Sequence, residues 1–288
     1  MIVAWRLEQA PVRAQLDLIA ALDAAGADAA LLPCESLASP DPILIAGAAS
    51  RRAPSIGLVP TLMPWLQPPF HTARALGTLD ALTSGRAGWF VDTAAPTFSS
   101  TDDTDRWNAS GVTDDLALEQ AADDYLAAVF ALWNSWEPGA LVADVARGQY
   151  VDPAKVHVTN HRGDFFSVRG PLNMPRSPQG RPVVFAASGS GAAAVADVVI
   201  AATEADVDGA QEAGCRVLLE VRGEAALAPP PTAADGYLVT GVADGALAGQ
   251  LIHGVLPALV EARDPATLLR DRLGLPEARF AWTPGENA

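Results

Sequence analysis

Apolar and polar residues alternate along this chain in two rhythms. Short unbroken apolar runs, as expected of strands buried on both faces, are followed by longer stretches with helical spacing. The run IVAWR at 2–6 is the first strand, and 11–26 answers it as a helix. Pro11 opens that helix, Leu16, Ile19, Ala20 and Leu22 form its apolar stripe, and Gly26 ends it. The same pair recurs: a strand over 28–32, a helix from Asp41-Pro42 to about Ser50, a strand over 55–62 with Pro60 near its end, a helix over 69–82 and a strand over 87–92. The stretch 93–111 is polar, rich in Pro, Ser, Thr and Asp, and has no period. It is long for a connection inside a compact domain and reads as a lid or a disordered link.

The longest helix is predicted over 114–136, with Leu116, Leu118, Ala122, Tyr125, Leu126, Val129 and Leu132 on one side. Two β-rich runs, VHVT and FFSV, flank Asn160, Arg162, Gly163 and Asp164 and predict a hairpin. The Pro- and Gly-punctuated loop GPLNMPRSPQGRP leads into PVVFAA at 182–187, a strand buried on both faces. Strands follow over 198–202, 216–221 and 236–242, with helices over 204–213 and 243–261. The segment 225–234, with Pro229, Pro230 and Pro231, has no room for a regular helix. Eight strands alternating with helices or helix-sized segments in 288 residues predict a (β/α)8 barrel, a single domain over 1–288.

Charge and composition narrow the partners. With 34 acidic and 19 basic residues the net charge is −15, which argues against nucleic acid and against anionic membranes. Two cysteines, Cys34 and Cys215, support neither a disulfide framework nor a thiolate metal site, and the four histidines form no ligand motif, so no metal is expected. The N-terminus lacks the features of a signal peptide and no apolar run could span a bilayer, so a cytoplasmic protein is the expectation. In such a barrel a site forms at the C-terminal strand ends. The candidates are therefore Cys34, Glu35 and Ser36; Thr61 and Met63; Asp92 and Thr93; and Ser188, Gly189, Ser190 and Gly191. The last four turn a strand into a helix start, where N–H groups and hydroxyls suit a phosphate; an ordinary Gly-rich turn is the alternative.

Four stretches carry a family resemblance: HTARALGTLDALTSGRAGW from His71, ALWNSWEPGALVADVARGQYVD from Ala131, DPAKVHVTNHRGDFFSVRGPLNMPRSPQGRPVV from Asp152, and LRDRLGLP from Leu269. In content and order they resemble the nitrilotriacetate and dibenzothiophene-sulfone monooxygenase branch of the bacterial luciferase-like flavin monooxygenases. The resemblance implies the same barrel, trimmed between its fifth and eighth strands, with a hairpin inserted before the fifth. It implies oxidation of a small organic substrate with O2 by reduced FMN from a separate flavin reductase. It also implies cofactor contacts from Thr61, Thr93, Ser188, Gly189, Ser190 and Gly191; no catalytic residue follows from it. Several positions depart from the family pattern: Phe90 for an Asn, Ala186 for a Gln, Ser188 for a Gly, Glu119 for a Tyr and Ala121 for an Arg, with Asp92 as an added carboxylate. A second reading is therefore a non-catalytic or repurposed barrel paralogue, a partner subunit that has lost the flavin site. Either reading is compatible with a homo- or hetero-oligomer.

Overall fold

The computed structural model describes residues 1–34, 39–64, 67–94, 115–212, 214–230, 232–260, 264 and 267–282. In chain order the first elements are β1 (Ile2–Arg6), α1 (Val12–Ala24), β2 (Ala29–Leu32), α2 (Pro42–Ala49), β3 (Gly57–Leu62), α3 (Pro69–Leu82), β4 (Gly88–Val91) and α4 (Asp115–Trp133). Two small antiparallel pairs follow, β5 (Leu141–Asp144) with β6 (Gln149–Val151) and β7 (His161–Arg162) with β8 (Ser167–Val168). The chain then adds β9 (Val183–Ala187), β10 (Val198–Ala201), α5 (Glu204–Glu212), β11 (Arg216–Arg222) and β12 (Gly236–Thr240). Last come α6 (Gly245–Gln250), a π turn over Leu251–Val255, α7 (Leu256–Leu259) and α8 (Leu269–Arg272).

Eight of these strands close into a parallel barrel in the order β1-β12-β11-β10-β9-β4-β3-β2, with β1 paired to both β12 and β2. This is the barrel the alternation predicts. Successive side chains on a strand point to opposite faces, and here one set fills the inside. Ala4, Leu31, Val59, Phe90, Phe185, Ile200, Leu218 and Leu238 form one buried cluster. Leu269, Leu273 and Leu275 from the C-terminal segment belong to the same cluster, so that segment packs against the barrel interior. The other faces of the strands meet the helices. Trp89, Tyr125, Leu126 and Trp133 join β4 to α4, and the Trp89 indole stands edge-on to Trp133 at 6.1 Å.

Local differences from the sequence pattern have local causes. The hairpin forms, but its paired residues are His161 with Val168 and Arg162 with Ser167, and of the run VHVT only Val156 bridges, to Trp136. Asp124 sets this register. Its carboxylate accepts from Phe165 N and Phe166 N at 2.7 and 2.8 Å and lies 2.6 Å from His161 Nε2. A Cβ at Gly163 would overlap that carboxylate, which makes glycine the residue that fits there. The pair β5–β6 has no clear signal in the sequence, because Leu141 and Val142 are exposed and the pair has no buried face to impose alternation. The segment after β11 is a short 3₁₀ turn over Gly223–Leu227 where a full helix would sit, in line with its prolines. The helix predicted over 243–261 is interrupted by the π turn before Pro257.

Candidate active site

The C-terminal strand ends bring part of the expected constellation together. A cleft of about 420 Å3 is lined by Phe90, Val91, Asp92, Thr93 and Ala94 after β4, by Leu118 and Glu119 of α4, and by Ala187 to Gly191 after β9. Thr93, Ser188, Gly189, Ser190 and Gly191 therefore share one wall system. Thr61 does not line it. It is buried in β3, paired with Phe90 of β4, on the inward-facing register of Val59. Cys34 and Met63 are buried, and burial, with Asp41 and Asp92 nearby, pushes the Cys34 thiol pKa up. Glu35, Ser36 and residues 95–111 of the polar stretch lie outside the described residues.

The turn after β9 has a defined set of donors. Ser188 N donates to Ile200 O at 2.8 Å, and Ser190 N and Oγ both donate to Ala187 O, at 3.3 and 2.8 Å. Among the described residues the Gly189 and Gly191 N–H groups and the Ser188 hydroxyl have no hydrogen-bond partner. Gly189 has φ of +78°, a conformation that favours glycine. The charged residues described in the lining are acidic. Asp92 and Glu119 line the cleft, and Asp123 Oδ1 lies 3.4 Å from where a Cβ on Gly191 would stand. Among the described lining residues there is no Lys or Arg. A carboxylate about 5 Å from a phosphate opposes each of its charges by about 1 kcal/mol in water and about 3 kcal/mol at a partly buried rim. Ala121, which replaces an Arg of the family pattern, is buried against Leu118 and Phe166 and offers nothing to the cleft. The described lining residues do not fit the phosphate of FMN.

The barrel mouth holds a second group of polar residues, outside every motif of the sequence. Arg6 is the last residue of β1, two positions after the interior Ala4, and its guanidinium carbon stands 4.8 Å from the centre of the Phe90 ring. Burial lowers its pKa, while Glu220 and Asp92 act in the opposite direction. Glu220 of β11 accepts from Thr240 Oγ1 at 2.8 Å and pairs with Arg222 at 2.9 Å. The strand alternation does carry a signal for both: counting inward positions from Ile2 through Ala4 lands on Arg6, and from Leu218 on Glu220.

The fold is thus a (β/α)8 barrel with a hairpin insertion and a cleft on its C-terminal strand ends. The Luciferase-like monooxygenase family model matches residues 2–233, and the chain belongs to that family of oxidoreductases. A dibenzothiophene-sulfone monooxygenase from Rhodococcus erythropolis is 45% identical over 135 residues, 46% of this chain and 28% of that protein. The chain thus matches well under half the length of that relative. A pristinamycin IIA synthase subunit from Streptomyces pristinaespiralis is 35% identical over 275 residues, covering 92% of this chain and 90% of that one. Among solved structures, a riboflavin lyase with modified FMN and riboflavin superposes with a TM-score of 0.79 at 19% identity, covering 96% of both chains, a likeness of fold.

Proposed function

We propose that this chain, as one barrel domain over 1–288, is a subunit of a luciferase-like, flavin-dependent monooxygenase. The assembly oxidises a small organic substrate with O2, using reduced FMN delivered by a separate reductase, and a partner chain holds the flavin phosphate. The observation that carries this reading is the acidic cleft: Asp92, Glu119 and Asp123 stand around the Gly189–Gly191 donors, and among the described lining residues no cation balances a phosphate there. The similarity, over nearly the full length of both chains, to a protein named as one subunit of a synthase supports a place in a multi-chain enzyme. In this arrangement the barrel supplies scaffold, part of a water-excluding wall and a surface for its partner.

A second reading has its own observation. Thr93, Ser188 and the Gly189 and Gly191 amides do converge on one cleft, so this chain would bind FMN itself, with the phosphate on the β9 turn. Anaerobic calorimetry of the purified chain with FMN and with FMNH2 separates the two. The reading as a partner subunit expects no saturable binding by the chain alone, and recovery from its native cells together with a second luciferase-like chain that does bind flavin. Micromolar binding of FMNH2 by the chain alone, abolished by Ser190→Asp, would overturn it and place the phosphate here.

A further inference from the structure

We infer that Arg6 is the anion-binding residue of the barrel mouth, positioned to hold the carboxylate of a small organic ligand above Phe90. The inference rests on the mouth alone and holds whichever chain carries the flavin.

Arg6 is half-buried at the C-terminal end of β1, with the Phe90 ring under its guanidinium. An arginine in such a place ordinarily has an acidic partner. Three carboxylates are near, and each is committed elsewhere. Glu220 is held by the Thr240 hydroxyl and by Arg222. Glu8 accepts from Gly241 N at 2.8 Å, and Asp92 accepts from Ala94 N at 3.0 Å. Among the described residues none forms a hydrogen bond or an ion pair with the Arg6 guanidinium. Its nitrogens are not among the buried, unsatisfied atoms of the described residues, so they are not sealed from solvent.

Stacking on an aromatic ring occupies the face of a guanidinium and leaves its in-plane N–H groups free. Those groups form the fork that binds a carboxylate through two parallel hydrogen bonds. The neighbouring acids keep the cation charged without satisfying those donors. They also set a selection: a ligand must present its negative charge to the fork and keep its other surfaces neutral, because Asp92, Glu8 and Glu220 repel a second anionic group. A monocarboxylate with an apolar body meets both conditions.

Benzoate and its neutral counterpart benzamide are suitable probes, titrated into the full-length, ¹⁵N-labelled chain while the arginine Nε–H resonances are followed. The Arg6 signal is identified by its loss in Arg6→Lys. The expected result is a saturable shift of that signal by benzoate, with benzoate bound about tenfold tighter than benzamide, the gain of a charge-assisted hydrogen bond. In Arg6→Gln this preference should vanish. Equal binding of the two probes, a benzoate affinity unchanged in Arg6→Gln, or no saturable shift up to the solubility of benzoate would each overturn the inference. The comparison of the two probes on the unaltered protein stands even where a variant fails to fold.

Discussion

At the scale of the residue, single carboxylates decide more than their number suggests. Asp124 is mostly buried and accepts two backbone N–H bonds besides its contact with His161, so it fastens the β7–β8 hairpin to α4. Burial by itself would raise its pKa, but the bonds from Phe165, Phe166 and His161 outweigh burial and hold it below the usual carboxylate range. A depressed folded-state pKa means stability that is present above the ordinary carboxylate pKa of about 4 and is lost as pH falls through the folded value. Asp124→Ala should therefore cost about 2–3 kcal/mol at neutral pH, through donors left unsatisfied, and progressively less in acid. Urea unfolding of both proteins at neutral and acidic pH checks this; a loss independent of pH would show that the charge is not what matters. The same residue-level accounting shapes the cleft, where Glu119 and Asp92 line a turn whose own amides would otherwise welcome an anion.

At the scale of the element, strand closure depends on close backbone approach. Gly236 opens β12 and pairs with Ile2 on one side and Leu218 on the other. A Cβ there would run into the backbone of Ile2, which cannot move aside as the end of a flexible side chain could. Gly236→Ala should destabilise the protein by about 2 kcal/mol or more, by forcing β1 and β12 apart at the start of their ladder. Calorimetric melting would show it, and an unchanged Tm would mean that the strands shift without loss. Helix ends follow simpler chemistry. Asp41 caps α2 by accepting from Ile43 N at 2.8 Å, with Pro42 at the first helical position, as the Asp-Pro pair in the sequence indicates.

At the scale of the whole molecule, one ionic cluster ties the chain's last described segment to the barrel. Asp197, between β9 and β10, accepts from both Arg181 and Arg270, and also from Val184 N. Arg270 lies in α8, more than seventy residues away, and its side chain is 3% exposed. Burial pushes the Asp197 pKa up, but Arg181 and Arg270 together bring it below the ordinary value. Its contribution is thus full above the unfolded pKa and fades as acid protonates the folded carboxylate. Asp197→Ala leaves two arginines without their anion and should cost about 3–5 kcal/mol. The loss should appear as a lower urea midpoint at neutral pH that converges with the parent protein's in acid; parallel curves at every pH would rule out the ionic origin.

Much of this is written in short-range pattern. Apolar runs alternating with helical stripes, punctuated by Pro and Gly, specify eight parallel βα units, because strand and helix periods are local properties of the chain. The bounds of α3, Pro69–Leu82, and of β1, Ile2–Arg6, can be read directly. The Gly/Ser turn after the fifth barrel strand is legible as a turn for the same reason. Closure brought in what no local pattern carries. It placed Thr61 within β3 beside Phe90 and outside the described lining of the cleft, and set Glu119 and Asp123 of α4 against the β9 turn. It also stood Arg6 on Phe90, eighty-four residues along the chain, with Glu220 nearby. Charge and stacking depend on distances through space, and those exist once the eight strands have met.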